Sequence, residues 1–126
     1  MYSTLLGQLR KGDHIYVLGA SQGADQEKTK RFFIKYGSIA YRKGINVKTI
    51  FNASARHYVK DMERESKIAL QRRFLFKTTP VEVLVAKELT AIVLLKKEPL
   101  IISILDKETA DSFTTYFEEL WNIAQP

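Results

Sequence analysis

Residues 81–105 constrain the fold more than any other part of the chain. Three segments there, 81–86, 91–95 and 100–105, are rich in valine, isoleucine and leucine, and only short polar stretches separate them. This composition is typical of β-strands. A parallel return between neighbouring strands needs a crossover of about a dozen residues or more. The three segments are therefore predicted to be antiparallel neighbours.

The first half of the chain predicts parallel strands instead. Strands are expected at 13–18 and 46–51, joined by a helix over 25–43 that Asp25 caps and Gly44 ends. A strand, a helix and a second strand form a right-handed parallel unit. A further helix, which Asn52 or Ser54 can cap, is predicted to run to about Arg72 with Ala69 and Leu70 on its inward face, and a short strand is predicted at 73–76.

Two terminal helices complete the prediction. Leu5, Leu6 and Leu9 have helical spacing in the first twelve residues, and Asp106 is placed to cap a final helix with a large apolar face. The predicted class is α/β, a mixed β-sheet with flanking helices on both faces in the order α-β-α-β-α-β-β-β-β-α. No linker divides the chain, so residues 1–126 are expected to form a single domain.

Gly37 lies inside the second predicted helix and leaves two interpretations open. A glycine in a helix costs about 1 kcal/mol relative to alanine. It indicates either close backbone packing at this point or simple tolerance of an unfavourable residue.

Composition excludes several kinds of protein. The chain has no cysteine, so disulfides, thiolate metal sites and thiol catalysis are excluded. It has no signal peptide and no apolar run long enough to span a membrane, so a cytoplasmic location is expected. The net charge of +6 favours anionic partners, but the basic residues are scattered and not clustered with aromatic residues.

The candidates for catalysis are few. His14 opens a strand, and His57 has Asp61 four residues later, a pair that fits a surface ion pair better than a metal site. Ser21 lacks the G-x-S-x-G context of a nucleophilic serine. No catalytic residue, metal ion or cofactor is therefore predicted.

Polar residues follow two predicted parallel strands at their carboxyl ends. Ser21 and Gln22 follow the first strand, and Asn52 and Ser54 follow the second. Ligands of open α/β sheets bind at this edge. If the two strands are neighbours, Ser21, Gln22, Asn52 and Ser54 are predicted to line a site for a hydroxylated or anionic ligand, with helix capping as the alternative role.

Three segments together resemble a known family. They are the opening strand 11–20 with its Gly19-Ala20 end, the second strand 44–52, and the closing helix, in which Ala110-Asp111-Ser112-Phe113 leads to Tyr116-Phe117-Glu118-Glu119-Leu120-Trp121. Together they resemble the phospholipase D-like domain of TrmB-type archaeal transcription regulators over nearly the whole chain. The resemblance implies one half of the phospholipase D architecture.

The resemblance also implies that catalysis is absent. Enzymes of that superfamily use an H-x-K-x-x-x-x-D motif, whose histidine attacks phosphorus while its lysine holds phosphate oxygens. The corresponding residues here are Val81, Val83 and Glu88. Without a nucleophile and a phosphate-binding lysine, phosphodiester chemistry is not expected.

The resemblance implies a ligand-sensing or dimerisation module of a TrmB-type regulator. A homodimer is expected, with a sugar or an anion as effector and no contact with a membrane. DNA would be bound only through a winged helix-turn-helix, which the sequence lacks. Two alternatives remain: a divergent phosphodiesterase or nuclease using His14 or His57, and a basic nucleic-acid-binding module.

Overall fold

The computed structural model describes residues 2–20, 26–76, 81–94, 98 and 100–126. The predicted order α-β-α-β-α-β-β-β-β-α is confirmed, with one added turn of 3-10 helix at Ala53–Ala55. The elements are α1 (Tyr2–Gln8), β1 (His14–Ala20), α2 (Gln26–Lys43), β2 (Asn46–Asn52), α3 (Arg56–Ser66), β3 (Gln71–Leu75), β4 (Val81–Ala86), β5 (Leu89–Leu94), β6 (Leu100–Leu105) and α4 (Lys107–Ile123).

The described strands form one mixed sheet, as predicted. Its order is β3-β2-β1-β4-β5-β6. Strands β1, β2 and β3 are parallel, whereas β4, β5 and β6 follow as antiparallel neighbours. Strand β1 therefore has a parallel partner on one side and an antiparallel partner on the other, and β3 and β6 lie at the two edges.

Helices cover both faces of the sheet. Val17 and Leu84 are in register on β1 and β4, and they belong to the core with Val59 and Met62 of α3. This side, which α1, α2 and α3 cover, is called the three-helix face. On the opposite side, the α4 face, Tyr16 packs against Phe117 of α4 with ring centroids 5.0 Å apart.

The prediction for α3 was wrong at its carboxyl end. The helix ends at Ser66, because Lys67 adopts a left-handed backbone conformation (φ 59°) and its N–H donates to the Glu63 carbonyl. The Glu63 carboxylate then accepts from the Leu70 N–H at 2.9 Å and from the Arg72 guanidinium at 3.0 Å. Leu70 consequently lies beyond the helix, and β3 begins at Gln71, two residues earlier than predicted.

The predicted cap of the last helix is confirmed. The Thr109 N–H donates to Oδ2 of Asp106 at 2.9 Å, which satisfies one of the free donors at the start of α4. The hydrogen bonds to Thr109 hold the pKa of Asp106 below its usual range. The predicted cap of α2, Asp25, lies outside the described residues.

Strands β1 and β4 approach very closely at Gly19. This residue has φ +81°, and a Cβ atom placed on it would lie only 2.6 Å from the main-chain oxygen of Val81. The register between β1 and β2 also shifts between Leu18 and Ala20. The end of β1 therefore requires glycine at this position.

Among the described helices, none is both long enough and apolar enough to cross a membrane.

Candidate functional site

The carboxyl ends of β1, β2 and β3 meet at one edge of the sheet. Strands β1 and β2 are parallel neighbours, which is the condition that the predicted ligand site requires. Asn52 is half-buried there and makes no side-chain cap to the turn that follows, and Ser54 is exposed. Ser21 and Gln22 lie outside the described residues, so the ligand site remains a prediction.

A buried acid lies near the same edge. The acid is Glu82, which is only 4% exposed. Its neighbour on β4, Val83, pairs with Leu18 close to the end of β1, which places Glu82 near this edge. Glu82 pairs with Val93 and points towards the three-helix face, where α3 packs. Burial raises the pKa of Glu82 from 4.5 to about 7.

Tyr58 of α3 lies close enough to Glu82 for the carboxylate to affect its hydroxyl. Burial raises the pKa of Tyr58, and the charges of Glu27 and Glu82 raise it further. Its hydroxyl oxygen is buried with no hydrogen-bond partner in the described part of the chain. Tyr58 and Glu82 are thus two buried polar groups in a largely apolar interior, and the raised pKa of Glu82 lies near neutral pH.

Sequence reasoning missed Glu82 because Val81-Glu82-Val83 alternates between apolar and polar residues. In a sheet with one face in water, such a glutamate would be solvent-exposed. The signal that could have revealed it was the prediction of helices on both faces of the sheet. A central strand in such a sheet has no solvent-exposed face, so Glu82 had to be buried.

The residues that stand where the phospholipase D motif would lie do not form a cluster. Val81 and Val83 are on the α4 face of β4, and Glu88 lies exposed in the turn to β5, where its carbonyl accepts from the Asp106 N–H at 2.9 Å. No group of three or more histidine, aspartate or glutamate side chains in the described ranges could hold a metal ion.

The two histidines lie on different sides of the sheet. His14 is exposed at the start of β1, and its ring stacks on Tyr16 at 5.7 Å on the α4 face. His57 belongs to α3, and its Nε2 lies 3.7 Å from Oδ2 of Asp61. This is the surface pair that the sequence predicted, and the arrangement does not bring the two imidazoles together.

Two basic residues of the α4 face contact Trp121. The guanidinium carbon of Arg73 lies 4.7 Å from the indole centroid, and Nζ of Lys48 lies 5.3 Å from it. Arg73 also donates a hydrogen bond to the Trp121 carbonyl at 2.6 Å. These cation–π contacts hold the end of α4 against β2 and β3.

Strand β6 exposes large aliphatic side chains at the edge of the sheet. Leu100, Ile101, Ile102 and Leu105 are between 46% and 78% exposed. Alternate residues of a strand point to opposite faces, so apolar surface borders this edge on both sides. The sequence run resembles a buried strand. The informative signal was its place at the end of a three-strand meander, which puts it at an edge.

A cavity of about 190 Å³ lies between α2 and the three-helix face. Strands β1 and β2, the end of α3 and residues 68–71 complete its wall. Gly37 of α2 borders the cavity, and a Cβ atom placed there would meet nothing within 4 Å. Close packing around Gly37, one of the two interpretations of this glycine, is therefore wrong.

No protein-family model matches the sequence. No curated protein matches it either. The fold is similar to that of TrmBL2, an archaeal chromatin protein whose structure shows a novel mode of DNA binding. The TM-score is 0.58 with 17% sequence identity, and the match covers 97% of this chain and 47% of the other. The chain thus spans about half the length of that protein, and the two share a fold.

Proposed function

We propose that this chain is a non-catalytic, phospholipase D-like dimerisation module of a TrmB-type transcription regulator. The observation that carries the proposal is the exposed apolar edge strand β6. The similarity of fold to TrmBL2 over nearly the whole chain supports the regulator assignment.

Strand β6 is suited to pair with a second copy of itself. An edge strand offers unpaired N–H and C=O groups, and pairing with another strand satisfies them. In a two-fold antiparallel pairing, opposite residues share a face, so a pairing centred on Ser103 places Ile101 opposite Leu105 and Ile102 opposite Ile104. Both of these pairs within β6 are aliphatic, and the same patch serves both copies.

The proposal that the chain lacks catalysis depends on Val81 and Val83. Valine side chains neither attack phosphorus nor bind phosphate oxygens, and His14 and His57 lie on different sides of the sheet. Effector sensing is proposed as a second property of the same module, with the effector bound at the predicted ligand site beside Asn52 and Ser54.

Sedimentation equilibrium tests the assembly directly. The wild-type chain is expected at about 29 kDa, twice the 14.5 kDa of one copy. Ile102→Lys puts a lysine on each copy close to the two-fold axis, where like charges repel, and should give a monomer. The matched control is Ile123→Lys, since Ile123 is 71% exposed on α4 and lies away from β6.

Two results would contradict the proposal. A wild-type chain that stays monomeric at high concentration, or an Ile102→Lys variant that dimerises as well as Ile123→Lys, would remove β6 as the interface. Turnover of a phosphodiester substrate that is lost on substituting His14 or His57 would instead favour the divergent phosphodiesterase.

A further inference from the structure

The described wall of the cavity beneath α2 is largely apolar. Its walls include aliphatic, aromatic and thioether side chains, among them Ile15, Val17, Phe33, Ile34, Val47 and Met62. None of the described residues around it is an aspartate, glutamate, lysine, arginine or histidine, and Ser38, Thr49 and Ser66 add a few hydroxyl groups to the wall. A charged or heavily hydroxylated molecule would lose its hydration there and gain few partners in return.

The helix over the cavity packs loosely. Of the eighteen residues of α2 only Ala40 is buried, whereas the shorter α3 buries Tyr58, Val59 and Met62. The absence of a side chain at Gly37 adds to the space, since a Cβ atom there would meet nothing within 4 Å. Protein interiors are normally close-packed, with few voids larger than a water molecule. A space of about 190 Å³ is therefore large for the interior of so small a chain.

The cavity has a route to solvent. Tyr41, Ala69 and Gln71 border it and are exposed, at the end of α2 and in the segment that leads into β3. The polar atoms of Tyr41 and Gln71 thus lie on the side that faces water, while Val17 and Met62 in the wall are buried. An apolar interior with polar groups at its entrance is the usual form of a small-molecule site.

We infer that this cavity is a binding site for a small, uncharged, apolar molecule with one aromatic ring or two fused rings. Enclosed apolar cavities of roughly 150 Å³ take up benzene, and the present space, which opens to solvent, is about 190 Å³. The site is separate from β6 and from the carboxyl edge where Asn52 lies. It does not depend on the chain being a dimer.

Methionine-methyl NMR with indole as the probe tests the inference. The chain has two methionines, Met1 and Met62, and Met62 is in the cavity wall. Titration of the full 126-residue chain with indole should shift the Met62 methyl resonance to saturation. Glucose and inorganic phosphate, the sugar and anion alternatives, should leave the Met62 resonance where it is.

Gly37→Leu supplies the decisive variant, because its side chain fills the space that indole needs. It should weaken indole binding by about tenfold or more. Gly7→Leu is the matched control, since Gly7 also lies in a helix with nothing within 4 Å of an added Cβ, but is exposed on α1. Gly37→Ala should weaken binding in the same direction and serves where the leucine variant does not fold.

Three outcomes would overturn the inference. The first is a Met62 resonance that does not move with indole. The second is equal indole affinity in the Gly37→Leu and Gly7→Leu variants. The third is a shift of Met62 with glucose or phosphate that matches the shift with indole.

Discussion

At the scale of single residues, Glu82 dominates the expected pH dependence near neutrality. Its pKa is raised by burial from 4.5 to about 7. The other groups in the described part of the chain whose pKa is shifted move further from neutrality: Asp13 and Asp106 downward, Lys30, Lys107 and the tyrosines Tyr16 and Tyr58 upward. The titration of Glu82 should therefore be most visible between pH 4.5 and about pH 7, its ordinary pKa and its raised pKa.

The raised pKa predicts a protein that loses stability as pH increases. Between 4.5 and about 7 the folded state keeps the Glu82 proton and the unfolded state releases it. The free energy of unfolding then falls by about 1.4 kcal/mol per pH unit, on the order of 3 kcal/mol in all. Urea unfolding at about pH 5 and about pH 8 measures this difference.

Glu82→Gln should flatten the pH dependence and raise stability on the alkaline side, because a neutral amide replaces a buried charge. Glu88→Gln is the control, since Glu88 is exposed in the turn after β4. Equal pH profiles for the wild-type and Glu82→Gln proteins would show that the carboxyl is not buried in solution.

At the scale of elements, the contact between β1 and β4 is the tightest constraint. Gly19→Ala would place a methyl group 2.6 Å from the Val81 oxygen, and main-chain atoms on both strands would have to move. Gly12→Ala is the matched control, because Gly12 also has positive φ (+92°) but its Cβ would meet nothing within 4 Å.

Both substitutions should destabilise the chain, to different extents. Gly12→Ala should cost about 1–2 kcal/mol for the left-handed backbone alone. Gly19→Ala should cost at least about 1–3 kcal/mol more, because overpacking is added to the same strain. Chemical denaturation of the two variants decides the point, and equal losses would contradict the close approach of β1 and β4.

The element order was predictable, because strand runs and helical periods are local properties of the sequence. The end of α3 was not, since the Glu63 carboxylate that fixes the following turn binds Leu70 and Arg72, residues from outside the helix. The cavity was not predictable either. It depends on how far α2 lies from the sheet, and Gly37 alone left that question open.

At the scale of the whole molecule, α4 crosses the sheet from one edge towards the other. It begins immediately after β6, its Trp121 contacts Lys48 of β2 and Arg73 of β3, and the residues that follow it reach β3. There Gln125 exchanges two main-chain hydrogen bonds with Phe74, at 2.7 and 2.9 Å. The last helix therefore leads the chain from the β6 edge to the β3 edge.

A cross-link can test the proposed arrangement of two copies, because the chain has no natural cysteine. With the two-fold axis at Ser103, Ser103→Cys brings two thiols face to face and should form a disulfide-linked dimer on mild oxidation. Ser112→Cys, exposed on α4, should not. Non-reducing electrophoresis measures the linked fraction, and equal cross-linking of both variants would rule out this register.

The bridge between Gln125 and Phe74 bears on how far any assembly can grow. Strand addition at β3 must first displace Gln125 from both main-chain groups of Phe74, whereas no described segment pairs with the outer edge of β6. In the terms of polymer chemistry, such a molecule is a monomer with one reactive end, which is the β6 edge. Joining two such ends consumes both, so growth stops at the pair and no fibre follows.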